Sequence, residues 1–270
     1  MRLLILNLLY LITILLLVPM QSYADDAWDE VRFAGLKRGV EYSISSGTGF
    51  YINNENIVTN RHVVSKCLNI AVRGAVAPQL AEVVVIDQAL DLALLKVATP
   101  SKRVPYLRIN YDAVTVGDIL FTVGYPLAHS TTGDYVIKEA KVLSVSERTD
   151  STHFTNIQFT DTVNHGNSGG PLLDKNTNIV GVVTAKITTY DPDDPAATTK
   201  SVGMAIGLDG LIDFLKRNNA TYAANATYDI FTNYNLYDTV KDYIVNIHCV
   251  EGEIGPASGN QQPETVSPSR

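Results

Sequence analysis

Short segments with strand character follow one another through most of the chain, and residues typical of turns separate them. Val40–Ile44 alternates polar and apolar side chains, and a run of turn residues, Asn53–Asn56, comes soon after it. Such segments predict strands over residues 40–44, 49–52, 56–59, 68–72, 80–86, 92–97, 119–123, 135–145, 154–159, 179–185 and 201–206, the first two forming a hairpin. Many short strands with little helical periodicity indicate an all-β barrel or sandwich.

A glycine-rich stretch, Asn164–Leu172, surrounds Ser168 with residues too small to fill a core. Glycines on both sides of a serine suit a tight turn that pushes the hydroxyl outward. Ser168 is therefore a candidate nucleophile. The backbone amides of Gly166 and Ser168 could converge on one point and form an oxyanion hole. An ordinary Gly/Ser loop is the alternative interpretation.

A serine nucleophile needs a base and a group that orients the base. His62 follows the apolar segment 56–59, and Asp91 opens the apolar segment 92–97. A carboxylate at that place needs a partner, because burying an unpaired charge is costly. Taken singly, His62 could be a satisfied core histidine and Asp91 a strand-edge cap. The order His62, Asp91, Ser168 favours a catalytic triad.

Four motifs in this order resemble the trypsin-like serine proteases of the HtrA (Deg) branch, namely Ser46–Phe50, Thr59–Val64, Asp91–Leu95 and Gly166–Pro171. The resemblance covers about residues 40–217. It implies two six-stranded antiparallel β-barrels with the triad in the cleft between them. Members of this branch usually carry PDZ domains after the protease, and the roughly fifty residues after position 217 are too few for one.

The same resemblance suggests where a substrate binds. Thr162 and Val163 are expected near the base of the specificity pocket, and Gly203 and Ala205 on its wall. None of them is charged, so we expect a small or medium apolar side chain before the scissile bond. His165 is expected at the rim, or else as a partner for an acidic substrate side chain.

The resemblance also assigns one strand to substrate pairing. The end of the apolar segment 179–185 is expected to line the cleft and to pair with an extended substrate backbone as an added strand. The residues concerned are Thr184, Ala185 and Lys186.

The remaining sequence divides into regions of distinct composition. Pro100 and Pro105 mark a linker between the expected barrels, and apolar residues at helical spacing from Leu208 to Leu215 predict an amphipathic helix on the second barrel. Aromatic and polar residues over 228–247 predict one or two short helices. We therefore divide the chain into a signal peptide (1–24), an N-terminal arm (25–39), a protease domain (40–217, barrel boundary near 99–116), a C-terminal extension (218–250) and a disordered tail (251–270).

The N-terminus predicts export. Arg2 precedes an apolar run, and Ser22 and Ala24 place small residues where a signal peptidase cuts. An uncleaved membrane anchor is the alternative interpretation. Either way the enzyme faces an oxidising compartment, periplasmic or extracellular, where Cys67 and Cys249 could form a disulfide or remain two thiols.

These observations predict a serine endopeptidase that acts on polypeptides through an acyl-enzyme. A formal net charge of −7, with Lys and Arg scattered, argues against a nucleic-acid partner. We expect no cofactor and no metal, and membrane contact only through an uncleaved anchor; the oligomeric state stays open. A catalytically silent trypsin-fold chaperone or binding module is the second hypothesis.

Overall fold

The computed structural model describes residues 27–108, 113–127, 134–147, 154–189, 200–224, 233–253 and 264–266. The predicted signal peptide, residues 1–24, lies outside these ranges, as does most of the predicted tail. Across the described ranges, no helix combines the length and apolarity needed to span a membrane.

Strands from both ends of the chain form the first lobe, an eight-stranded sheet in the order β4-β3-β13-β1-β2-β6-β5, with β14 also paired to β1. A short helix, α1 (Arg61–Val64), follows the second strand. The strands of this lobe are β1 (Tyr42–Tyr51), β2 (Asn56–Asn60), β3 (Asn69–Gly74), β4 (Gln79–Leu80), β5 (Glu82–Asp87), β6 (Leu92–Lys96), β13 (Ile244–Glu253) and β14 (Glu264–Val266).

The second lobe is a closed barrel of six strands in the order β10-β11-β12-β9-β8-β7. Its core contains Leu120, Val142, Phe159, Leu172 and Val183, all at most 1% exposed. The strands are β7 (Ile119–Gly124), β8 (Val136–Glu147), β9 (Thr155–Thr160), β10 (Pro171–Leu173), β11 (Ile179–Thr189) and β12 (Lys200–Gly207).

Two helices follow the barrel, α2 (Leu208–Arg217) and α3 (Asn233–Val240). Helix α2 buries Leu211, Phe214 and Leu215, as its helical spacing predicts. Arg217 at its C-terminal end reaches Asp87 of the first lobe at 2.8 Å. The helix therefore contacts both lobes.

The all-β class and the second six-stranded barrel agree with the resemblance, but the first lobe is an eight-stranded half-barrel sheet where a closed six-stranded barrel was expected. The predicted hairpin over residues 40–52 is wrong: β1 runs without a turn from Tyr42 to Tyr51. Its partner is β13, paired from Tyr42 with Glu253 to Phe50 with Ile244. The strand continues because a distant segment supplies the hydrogen bonds that a hairpin would have supplied.

The predicted helices over residues 228–247 are right for α3 and wrong from Ile244 onward. Residues 244–253 form β13, which lies between β1 and β3. Its apolar residues alternate with Asn246 and His248, both buried. Every residue from 244 to 250 is buried, so both faces of this strand are covered and its sequence lacks the alternation of a strand with one exposed face.

The first lobe is tied together by covalent and polar contacts to β13. Cys67, just after α1, forms a disulfide with Cys249. A helical segment over residues 27–32 also packs on β13: the Trp28 and His248 ring centroids lie 4.9 Å apart with the rings tilted, and Arg32 Nη1 donates a hydrogen bond to His248 Nδ1 at 3.1 Å. Burial, together with the charges of Arg32 and Arg73, lowers the pKa of His248 to about 3.

Candidate active site

Strand pairing in the first lobe brings His62 to Asp91. Strands β2 and β6 are antiparallel with Asn60 opposite Leu92, so the two residues that follow β2, Arg61 and His62, lie beside Asp91, which precedes β6. The backbone amide of His62 donates to Asp91 Oδ1 at 3.0 Å, and its Nδ1 to Asp91 Oδ2 at 2.6 Å. Asp91 has a φ of 54°, a left-handed conformation that aspartate tolerates better than most residues.

This pairing decides the form of the imidazole. An ionised carboxylate only accepts hydrogen bonds, so the contact places a proton on His62 Nδ1. In the neutral ring, Nε2 is then left as the acceptor. The Asp91 carbonyl further binds Arg61 N at 2.9 Å and Asn60 Nδ2 at 3.0 Å, which holds the aspartate in place.

Ser168 lies in a tight turn that leads into β10 of the second lobe. The turn is closed by Asn167 N to Asn164 O and by Gly170 N to Asn167 O, both at 3.0 Å. The Ser168 hydroxyl donates to the carbonyl of Thr184 at 3.2 Å. Within the described residues no hydrogen bond joins Ser168 to His62, although both line one cavity.

The amides expected to form an oxyanion hole are those of Gly166 and Ser168. The His165 carbonyl accepts from Leu127 N at 2.8 Å, and a trans peptide then directs the Gly166 N–H the opposite way. Neither amide has an acceptor within the described part of the chain. Gly166 has a φ of 97°, and a Cβ there would collide with the Tyr125 carbonyl, so the position requires glycine.

Thr48 connects this loop to the first lobe. Its hydroxyl donates to the Gly166 carbonyl at 2.6 Å and accepts from Tyr125 N at 2.9 Å. Its backbone amide donates to the Ser168 carbonyl at 2.8 Å. Two of these contacts reach the nucleophile loop and the third reaches Tyr125 just after β7, and Thr48 is fully buried. Sequence reasoning placed Thr48 in a family motif but did not identify this role.

Two cavities meet at Ser168. The first, about 680 Å³, also contains His62 and Gly166 on its wall; its remaining lining residues are Ser43, Ile44, Ser45, Ser46, Val63, Leu127, His165 and Glu251. The second, about 840 Å³, does not include His62; it is lined by Leu127, Val163, Asn164, His165, Ser168, Lys186 and Thr188.

The expected pocket residues divide between these cavities and the barrel interior. Val163, His165 and Lys186 line the second cavity. Ala205 does not line it: this residue is 1% exposed and belongs to the barrel core. Gly203 lies against the ring of Phe159, and Thr162 Oγ1 is 3.3 Å from Thr122 Oγ1.

Strand β11 brings the three residues assigned to substrate pairing beside the nucleophile. Thr184 contributes the carbonyl that binds the Ser168 hydroxyl, and Ala185 pairs with Met204 across a bulge. Lys186 forms an ion pair with Asp161 at 2.7 Å, so its charge is already balanced.

Sequence reasoning missed several residues of the site. Leu127, Asn164 and Thr188 line the second cavity, and residues 43–46 and Glu251 line the first. Asn164 and Leu127 were near motifs and could have been included by proximity. Glu251 could not, because its position depends on where β13 is inserted.

The molecule combines a closed β-barrel with a second β lobe. It places His62 and Asp91 on one lobe and Ser168 on the other, and this arrangement defines a trypsin-like fold. The chain belongs to the family described as the trypsin-like peptidase domain, which matches residues 47–182.

Named relatives point to one branch of that family. The chain is 35% identical over 165 residues to the magnetosome formation protease MamE of Paramagnetospirillum magneticum, covering 59% of this chain and 22% of that protein. It is 31% identical over 176 residues to a probable periplasmic serine endoprotease, DegP-like, of Chlamydia trachomatis, covering 62% and 34%. The chain thus spans less than half the length of these curated relatives.

A solved structure supports the fold. The active form of the Rv3671c protease of M. tuberculosis superposes with a TM-score of 0.52 at 23% identity, covering 71% of this chain and 86% of that one.

Proposed function

We propose that this protein is an exported serine endopeptidase that cleaves peptide bonds through an acyl-enzyme on Ser168. The observation that carries the proposal is the pairing of His62 Nδ1 with Asp91 at 2.6 Å, because His62 lines a cavity that Ser168 and Gly166 also line. Base, orienting group, nucleophile and oxyanion donors then surround one point, as acyl transfer requires.

The first step forms the acyl-enzyme. The Ser168 hydroxyl turns from the Thr184 carbonyl to His62 Nε2, which takes its proton as the oxygen attacks the substrate carbonyl carbon. The Gly166 and Ser168 amides donate to the resulting oxyanion. Collapse breaks the C–N bond, and the His62 imidazolium gives its proton to the leaving amine while Asp91 stabilises the positive ring.

The second step regenerates the enzyme. Water replaces the leaving amine, and His62 accepts its proton as the water oxygen attacks the ester carbonyl. Collapse of the second tetrahedral intermediate returns the proton to Ser168 and releases a carboxylic acid. Because His62 alternates between base and acid, the neutral ring with Nε2 unprotonated is the required starting form.

The substrate lies in an extended conformation along the end of β11. Departure of the Ser168 hydroxyl frees the Thr184 carbonyl to accept a hydrogen bond from the substrate backbone. The side chain before the scissile bond enters the cavity of about 840 Å³ beside Val163. Val163 supports an apolar residue there, of small or medium size as the sequence predicts, with an acidic residue facing His165 as the alternative.

Export is the proposed route to the working compartment. The disulfide between Cys67 and Cys249 suits an oxidising environment, and the DegP-like relative is named periplasmic. We propose residues 1–24 as the signal peptide and a periplasmic or extracellular location.

A silent trypsin-fold chaperone is the second candidate, because the Ser168 hydroxyl bonds Thr184 rather than His62. A fluorophosphonate probe separates the two, since only an activated serine reacts. We expect wild type and the exposed-site control Ser65→Ala to label and Ser168→Ala not to label. Equal labelling of Ser168→Ala would refute the assignment. A folded wild type that neither labels nor cleaves casein but suppresses aggregation would support the chaperone.

A further inference from the structure

The first cavity, of about 680 Å³, lies on the side of the cleft where the leaving amine departs. His62 is on its wall but not on the wall of the second cavity, and both cavities share Ser168. In the proposed mechanism His62 donates its proton to the leaving nitrogen, so the chain that follows this nitrogen must pass His62. The first cavity therefore receives the residues after the scissile bond.

One wall of this cavity is a strand edge that accepts an extended chain. At residues 42–44, β1 pairs with β13 along one edge, so its partner β14 must occupy the other. The segment Glu264–Val266 pairs there as an antiparallel strand. Ser45 and Ser46 continue the same strand toward Ser168 and line the cavity, so a substrate backbone can be added along it.

The charge on this wall comes from β13. Glu251 lines the cavity and is partly exposed, and its Oε1 accepts a hydrogen bond from the Ser45 hydroxyl at 3.1 Å. Among the described residues, Glu251 is the only acidic residue lining the cavity, and no Lys or Arg lines it. No ion pair to Glu251 exists in the described ranges either.

The strand that carries Glu251 is held firmly. The Cys67–Cys249 disulfide lies two residues before Glu251 and connects β13 to the segment just after α1. Helix α1 itself contains His62. An acidic group on a fixed strand beside the catalytic cavity has a defined position relative to a bound peptide. The second cavity differs in the state of its charged side chain, because Lys186 on its wall is already paired with Asp161 at 2.7 Å.

We propose that Glu251 makes the leaving-group side of the cleft a subsite for a basic substrate residue, lysine or arginine. This inference rests on the proposed endopeptidase function. The peptide chain after the scissile bond extends along β1, and its basic side chain meets the Glu251 carboxylate. Because the carboxylate is partly exposed, the preference should be modest and weakened by salt.

Internally quenched peptides that are identical up to the scissile bond test the proposal. Lysine, glutamine or glutamate is placed in turn at each of the first three positions after the bond. We expect one position at which lysine raises kcat/KM about two- to fivefold over glutamine at low salt, with glutamate below both. The variant Glu251→Gln should lose that difference, and Glu251→Lys should reverse it. The control Glu82→Gln, on an exposed part of β5, should keep the wild-type preference.

The outcomes separate this inference from the function beneath it. Cleavage of all peptides with no charge preference in wild type, or a preference that survives Glu251→Gln, overturns the subsite and leaves the endopeptidase intact. Absence of cleavage of every peptide, with no fluorophosphonate labelling of Ser168, overturns the endopeptidase and the subsite with it. Circular dichroism of each variant shows that the comparison is made on folded protein.

Discussion

The two lobes of this protein reach similar β architectures by different routes along the chain. The barrel of the second lobe is built from six strands within residues 119–207, and in the described part of the chain no segment from elsewhere is inserted among them. The first lobe uses strands within residues 42–96 and places β13, from residues 244–253, between β1 and β3. The lobe that carries His62 and Asp91 is therefore completed by the C-terminal part of the chain.

This difference separates local from long-range stabilisation. In the second lobe, four of the six strand pairings join strands that follow one another in sequence, and the other two, β12 with β9 and β10 with β7, stay within residues 119–207. The first must bring a distant strand into its centre, which has an entropic cost that the buried contacts of β13 and the disulfide offset. The lobe that carries His62 and Asp91 thus depends on a segment outside the region of family resemblance.

Removing β13 tests this comparison most strongly. Deletion of residues 244–270 exposes both neighbouring strands and removes Ile244, Val245, Ile247, Cys249 and Val250, all at most 1% exposed, from the core. At about 1.5 to 3 kcal/mol per buried side chain, the loss matches the whole stability of a typical domain, about 5 to 15 kcal/mol. We expect no soluble folded protein, measured by expression yield and circular dichroism. Deletion of residues 254–270, which keeps β13, should fold; a folded, probe-reactive 1–243 fragment would contradict the prediction.

Asp91→Asn tests the catalytic pair without disturbing the fold. Asparagine tolerates the left-handed backbone of this position, but its amide favours the wrong imidazole tautomer. We expect kcat/KM on casein-derived peptides to fall about 10⁴-fold, with an unchanged unfolding transition. Turnover near wild type would move the orienting role to another group.

Loss of the disulfide weakens the first lobe alone. Replacing Cys67 and Cys249 together by serine should lower the free energy of unfolding by about 2 to 4 kcal/mol, because the unfolded chain regains freedom. Hydrogen exchange should show lost protection in β13 and β1 and little change in β10–β12. Equal losses in both lobes would mean that the lobes unfold as one unit.

Thr48→Ala tests the connection between the lobes. It leaves the Gly166 carbonyl and the Tyr125 amide without their buried partner, which costs about 1 to 3 kcal/mol. We also expect slower fluorophosphonate labelling, because the loop that carries the Gly166 amide is no longer held. The control Thr48→Ser keeps the hydroxyl and should retain most of the labelling rate; equal rates for serine and alanine would exclude this role.

Acid should weaken the first lobe through His248. The folded protein keeps this histidine neutral, with a pKa of about 3, whereas the unfolded chain takes up a proton below about pH 6.5. The contribution of neutral His248 to the free energy of unfolding is therefore complete above about pH 6.5. It falls as pH drops toward 3, by about 1.4 kcal/mol per pH unit. Urea unfolding at pH 7.5, 6 and 5 measures the slope. His248→Gln should flatten it, and an unchanged slope would assign the effect to other groups.

The sequence alone determined the features that depend on neighbouring residues. The glycines around Ser168 follow from backbone angles and close contacts that only glycine permits. The placement of His62 after one strand and Asp91 before another followed from local apolar patterns, as did α2 from its helical spacing. These are short-range properties of the backbone and of burial, so they are visible in a few consecutive residues.

Only the tertiary structure decided which distant segments meet. It placed β13 beside β1 and joined Cys67 to Cys249. It also brought Thr48 to the nucleophile loop and Glu251 to the cleft. A strand carries the same hydrogen-bonding groups on both edges whatever its sequence, so its partner is chosen by the packing of the whole chain. For that reason, the motifs could indicate the proposed chemistry, while the cavity wall that contains Glu251 became visible only once the C-terminal strand was in place.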